Sequence, residues 1–314
     1  MRILGTGSCL PKRIVTNDDL ATFLETSDEW IFSRTGIKER RVLSDEKFED
    51  MAAGAALEAL ADAKVDVSEI DYILCSNTIG EYMTPGLGCF VQKVIGATCP
   101  ALDVNGACSG FVFALQIANA LLISEYKKIL VICAEESSRL CDWSDRSTCV
   151  LFGDGAGAVV VEKSGDDPIF RVNTASHTDI LYSRYEPGNS PFVQEHQPKH
   201  YLHMSGQEVY KLAVSTMCSD INDVLDRSNL QPTDVKYYIL HQANLRIINT
   251  IISRMNLPAE YFPHNIEKYG NTSSASIPIL LDEINKRGGL KRGEKVVFSA
   301  FGAGITSGSC AMTW

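Results

Sequence analysis

Two apolar patterns alternate along the 314 residues of this chain. Short runs that are apolar throughout, Tyr72–Cys75, Ile129–Ile132, Tyr237–Leu240 and Val296–Phe298, predict strands covered on both faces. Longer stretches with helical spacing, Met51–Ala63 and Val209–Ser228, predict amphipathic helices. Phe111–Leu122 is apolar nearly all round, as expected of a helix buried on every side. Strands alternating with helices predict an α/β fold in which helices cover buried sheets.

The pattern also repeats. Ser68–Cys75 is echoed about 166 positions later by Thr233–His241, and each follows one of the amphipathic helices. Lys127–Ile132 is echoed by Glu294–Phe298 at nearly the same offset. Phe152–Gly157 is echoed by Phe301–Gly304, but the offset has shrunk to about 149. An extra segment of roughly 17 residues in the first half, near 135–150, accounts for the difference. Three echoes in one order predict an internal duplication, with halves 1–166 and 167–314.

Composition narrows the function classes. The net charge of −10 opposes nucleic-acid binding, which wants a basic field. No stretch approaches the roughly 20 apolar residues that span a bilayer, and the N-terminus lacks a signal-peptide pattern. Ten cysteines are too dilute for a disulfide scaffold, so a cytoplasmic protein with reduced thiols is expected. None of them forms a CxxC pair, so a structural zinc site is not expected. His196, His200 and His203 have metal-like spacing, but Pro191, Pro198 and Gly206 around them predict an irregular loop. Gly153–Gly157 lacks GxGxxG spacing and is expected to form a tight turn into a strand at Ala158–Val161.

Three polar residues sit at similar junctions. Cys108, in Gly106–Gly110, lies where a strand turns into the apolar helix, and the positive helix end is expected to favour its thiolate. Small neighbours leave the sulfur approachable, although a cysteine here can equally be core filling, the reading adopted for Cys75, Cys133, Cys149 and Cys310. His241 closes the strand Tyr237–Leu240, and Asn271 follows Gly270 at another loop-to-helix junction. Groups beyond carboxyl ends of strands commonly line ligand sites in α/β folds, while helix caps and satisfied buried polar groups occur there too.

The same residues carry a family likeness. Gly5–Ser8, Thr26–Ile31, Arg34–Ile37, Ala107–Phe111, Phe152–Ala158, His241–Arg246 and Gly270–Ser276 resemble, in order and nearly end to end, the β-ketoacyl-acyl-carrier-protein synthase III enzymes of the thiolase-like superfamily. The resemblance implies a five-layered αβαβα fold of two duplicated halves, a homodimer and an acyltransferase activity. Cys108 would take an acyl group from acyl-CoA, and malonyl-acyl carrier protein would then lose carbon dioxide and attack the thioester. His241 and Asn271 would stabilise the malonyl thioester oxygen, and the backbone N–H groups of Cys108 and Ala303 would form the oxyanion hole. The family often has Gly where Ala303 stands.

By the same resemblance Trp30, Arg34 and Arg146 would hold the CoA adenine, with Phe152, Gly206, Tyr210 and Asn244 along the substrate tunnel. Lys211, Gln242, Arg246 and Arg254 would meet the acidic carrier protein. Thr84 matches a position where acetyl-selective members can carry Phe, so a roomier acyl pocket, reached across the dimer interface, and longer or branched primers are expected. No metal or resident cofactor is implied, since both thioesters are substrates. Two alternatives remain: a condensing enzyme priming a specialised polyketide, quinolone or lipid pathway, and a papain-like cysteine hydrolase, whose Cys–His–Asn order and spacing are similar.

Overall fold

The protein is described by a computed structural model covering residues 1–184 and 201–314. One sheet runs Arg2–Cys9, Asp154–Glu162, Lys128–Glu136, Tyr72–Ser76, Ala101–Val104. Its first three strands pair antiparallel and the last two join in parallel. The second sheet runs Ile169–His177, Gly304–Thr313, Lys295–Gly302, Val235–Leu240, with the same sequence of antiparallel, antiparallel and parallel pairings. The echoed segments therefore occupy equivalent places in two sheets of one plan. Among the described residues only Ala101–Val104 lacks a counterpart, and it forms an edge.

The helices Gly110–Ile123 and Ser276–Lys286 lie between the sheets. Leu115, Ala118, Leu280 and Ile284 meet Val131, Val159, Ile239 and Phe298 in one buried core. Phe48–Ala63 covers the outer face of the first sheet, through Ala52, Ala55, Ala56 and Ala59. Gly206–Arg227 and Leu245–Met255 cover the second through Val214, Met217, Ile221 and Ile248. Five layers, αβαβα, result.

Close layer contact depends on glycine. A Cβ on Gly7 would lie 2.3 Å from Ala55 O in the outer helix, and one on Gly157 would lie 2.8 Å from Ile279 N in the central helix. This corrects the reading of Gly153–Gly157 as a turn: the strand already begins at Asp154, and its glycines let a helix approach. The extra segment of the first half is residues 137–153, where the second half has Ala303 alone between its strands. That insertion forms one wall of the cavity described next.

Among the described residues no helix is long and apolar enough to cross a membrane. The histidine trio falls partly outside the described residues, at His196 and His200; His203 pairs with Tyr182 in a short two-stranded sheet.

Candidate active site

Cys108 sits in a short turn, Ala107–Ser109, that runs directly into the helix Gly110–Ile123. Ala107 takes φ of 47°, and the equivalent turn of the second half, Ser273–Ala275 before Ser276–Lys286, has Ser273 at φ of 51°. The duplication thus brings two similar turns face to face. Ser273 Oγ lies 3.3 Å from Cys108 Sγ.

His241 continues from the strand Val235–Leu240, its N–H donating to Ser299 O. The ring is buried, and its Nδ1 lies 2.7 Å from Ser276 Oγ, which also accepts the Gln242 N–H. Burial drives the imidazole pKa down to about 3, so the ring is neutral. A Ser276 hydroxyl that donates to Nδ1 would place the ring proton on Nε2, the nitrogen left for other partners. Asn271 is held by its backbone to Leu151 and Gly153 across a bridge with Phe152, and its Oδ1 accepts the Ser273 N–H. The amide NH₂ is left as its donor.

Cys108, His241 and Asn271 line one cavity of about 650 Å³. Ala303 and Gly302 form part of its wall, and Gly302 packs directly on the Cys108 amide, since a Cβ there would lie 2.7 Å from Cys108 N. The thiol itself departs from expectation. Although Cys108 keeps some exposure at the cavity wall, protein surrounds it, and desolvation pushes its pKa up to about 12 against the opposing hydrogen bond from Ser273. A helix end contributes about 0.3–1 kcal/mol at exposed sites, too little to offset this burial.

The opposite end of the cavity is cationic and aromatic. Ser27 caps the helix Asp28–Thr35, which presents Trp30 and Arg34. The guanidinium groups of Arg34 and Arg146 lie 4.5 and 5.0 Å from the Trp30 ring centroid. Asn244 caps Leu245–Met255 with its Oδ1 and donates through Nδ2 to Arg34 O, tying this helix to the His241 strand. Phe152, Gly206 and Tyr210 line the passage between, and the Tyr210 hydroxyl is 2.6 Å from Thr250 Oγ1. Lys211 and Arg246 are exposed at the mouth, and Arg254 is exposed farther along the same helix as Arg246.

Gln242 does not join this site as expected, and Thr84, expected to act across the dimer interface, stands apart from it within one chain. Gln242 is only 1 % exposed; Nε2 donates to Leu240 O and Oε1 accepts the Asn265 N–H, so it is an internal strut with nothing left for a docking protein. Thr84 is exposed and lies outside this chain's cavity, beside exposed Tyr82 and Met83. Conversely, Ser273, Ser276, Gly302 and the buried Glu135 adjoin the site without having been singled out. The two glutamates that close a run apolar from Ile129 to Ala134 are the available signal for the last.

Comparison with known proteins agrees with this geometry. Family models for 3-oxoacyl-[acyl-carrier-protein] synthase III match residues 102–179, and those for its C-terminal region match 225–314. A β-ketoacyl-[acyl-carrier-protein] synthase III of Clostridium acetobutylicum is 43% identical over all of this chain and 98% of its own length. The crystal structure of the Aquifex aeolicus 3-oxoacyl-[acyl-carrier-protein] synthase III superposes with a TM-score of 0.93 at 42% identity, covering 100% of this chain and 99% of that one. The priming β-ketosynthase of the R1128 polyketide pathway gives the same TM-score at 32% identity, covering 99% of this chain and 95% of that one. A duplicated five-layer fold, a cysteine facing a buried histidine–asparagine pair, and full-length identity of this order make the chain a member of the β-ketoacyl-acyl-carrier-protein synthase III family.

Proposed function

We infer that this condensing enzyme, which initiates fatty acid synthesis, carries its primer on Cys108. The observation that supports this most is the single cavity joining the Trp30–Arg34–Arg146 cluster to Cys108, His241 and Asn271. The aromatic and cationic end suits the adenine and phosphates of CoA, and the narrow passage suits pantetheine. Sγ attacks the primer carbonyl and CoA leaves; the N–H groups of Cys108 and Ala303 take the oxyanion. Malonyl-acyl carrier protein then enters. Neutral His241, through Nε2–H, and the Asn271 amide donate to its thioester oxygen, where charge develops as carbon dioxide departs. The carbanion attacks the acyl-enzyme and frees the Cys108 thiolate. The cycle calls on the two thioesters and on no resident cofactor.

Lys211, Arg246 and Arg254 give the mouth a local positive field for an acidic carrier protein despite the overall charge. A homodimer through the edge strand Ala101–Val104 would cover its unpaired backbone together with exposed Leu102, Tyr82 and Met83, and would bring Thr84 toward the partner's acyl pocket. A small residue there fits primers larger than acetyl. Free cysteines throughout fit a reducing, cytoplasmic setting, and 1–166 and 167–314 serve as the duplicated units. The structural likeness to a polyketide priming enzyme supports a second reading, in which the same chemistry starts a specialised pathway.

Mass spectrometry after incubation with mixed acyl-CoAs tests the assignment. An acyl mass on the Cys108 peptide is expected, discharged on adding malonyl-acyl carrier protein with release of carbon dioxide. No adduct, or equal condensation by Cys108→Ala, would overturn it.

A further inference from the structure

Acyl transfer to Cys108 requires the thiol to lose a proton, and the pair named for decarboxylation is poorly placed to take it. His241 hydrogen-bonds Ser276 and is too weak a base when buried. Among the described residues, the side-chain group hydrogen-bonded to Cys108 Sγ is the Ser273 hydroxyl, 3.3 Å away. The same oxygen lies 3.2 Å from Glu135 Oε1.

Glu135 is fully buried at the end of the strand Lys128–Glu136. Its carboxyl accepts from the Ser274 hydroxyl at 2.6 Å, the Ser274 N–H at 3.4 Å, the Thr78 N–H at 3.0 Å and the Thr78 hydroxyl at 3.3 Å. None of these donors is charged. The titratable groups near it are Cys133 on its own strand and Cys108 across Ser273. This is an expensive position for a carboxylate, and the network holds one there without a cation.

Ser273 has one hydroxyl proton for two neighbours. Given to Glu135, it leaves Oγ free to accept the Cys108 S–H. Given to sulfur, it stabilises the thiolate while a protonated Glu135 donates to Oγ. The two arrangements differ by two short proton shifts. We propose that Glu135, acting through Ser273, is the buried base that receives the Cys108 proton during acyl transfer, resting on the reading of Cys108 as acyl carrier. In the step, the bond from Sγ to the acyl carbon forms and the bond from that carbon to the CoA sulfur breaks. The thiol proton moves to Ser273 as the Ser273 proton moves to Glu135. As CoA leaves, Ser273 gives its proton to the CoA thiolate and takes one back from Glu135, leaving the carboxylate and the Ser273 hydroxyl restored.

Burial raises the Glu135 pKa to about 7, which places it near the optimum for a base at neutral pH. Ser273 is a positioning and relay group, held by its own N–H on Asn271 Oδ1, so one turn links the acyl-transfer and decarboxylation ends of the site.

The test separates the half-reactions. Single-turnover acylation by acyl-CoA is followed by quenched mass spectrometry from pH 5.5 to 9, and decarboxylation of malonyl-acyl carrier protein is followed separately. Wild type should show acylation rising with pH and levelling above about 7. Glu135→Gln and Ser273→Ala should each lose about 100-fold in acylation at neutral pH. Glu135→Gln should also lose the inflection, its rate climbing steadily toward the thiol pKa, while decarboxylation falls far less. Acylation within threefold of wild type with the inflection intact overturns the proposal. So does an equal fall in both half-reactions in folded protein, the mark of a merely structural network. If Glu135→Gln does not fold, Ser273→Ala carries the same comparison alone. Failure of wild type to acquire an adduct on Cys108 would instead sink the reading on which the proposal rests.

Discussion

Gly302→Ala probes the contact that would set the proposed oxyanion site. The added Cβ would lie 2.7 Å from Cys108 N, 3.1 Å from Ala107 Cβ and 3.1 Å from Thr306 Oγ1. Ordinary contact begins at about 3.4 Å, so backbone must yield by about 0.7 Å. Neither side can swing away, because Ala107 and Cys108 N belong to a fixed turn and Gly302 ends a paired strand. Overpacking of this kind costs about 1–3 kcal/mol in stability. The functional cost is larger. Separating the Ala303 N–H from the Cys108 N–H removes one donor from the developing oxyanion, a loss of about 10²–10³ in rate. Single-turnover acylation should therefore fall at least about 100-fold, and urea unfolding should report the smaller stability loss. Acylation within threefold of wild type would show that the Gly302–Ala303 turn does not serve the oxyanion. An unchanged urea midpoint would show that the clearance was misjudged.

Three further outcomes follow from the same geometry. His241 has a folded pKa below its unfolded 6.5, so its share of stability is present above 6.5 and lost as pH falls toward 3. Glu135 has a folded pKa above its unfolded 4.5, so its share is present below 4.5 and lost as pH rises through about 7. The two slopes oppose each other between 4.5 and 6.5; in Glu135→Gln the His241 slope should stand exposed, about 1.4 kcal/mol per pH unit steeper than wild type in urea titrations, and parallel curves would contradict it. Gln242→Ala should lose about 2–4 kcal/mol by stranding Leu240 O and Asn265 N–H, without raising KM for malonyl-acyl carrier protein. A raised KM at unchanged stability would return Gln242 to the docking surface. Thr84→Phe should shift acyl-CoA competition toward acetyl by tenfold or more if the partner's pocket receives it, whereas an unchanged preference would remove Thr84 from that pocket.

Much of the fold was legible because duplication writes itself twice. The runs Tyr72–Cys75 and Tyr237–Leu240 became equivalent strands, and the change of offset marked the insertion that walls the cavity. Cys108, His241 and Asn271 were visible because each stands where regular structure ends. The duplicated plan and the family membership also remove the cysteine-hydrolase alternative. The inward turn of Gln242 is not legible in the sequence, because its neighbours His241 and Arg246 face the cavity and its mouth, whereas its own side chain reaches Asn265. The state of the thiol is not legible either, because helix position is local and desolvation is not.

The sequence by itself determined the alternation of strands and helices, the duplication and the three polar junctions. These follow from periodicity and chain connectivity, which are properties of neighbouring residues. Tertiary structure alone decided the state of those junctions: a thiol pushed up by burial, a neutral imidazole, and Glu135 joined to Cys108 through Ser273, 138 residues away from the glutamate. Protonation depends on what surrounds a group in every direction, and for Cys108 and Glu135 part of that surrounding, Ser273 and Ser274, comes from the other half of the chain.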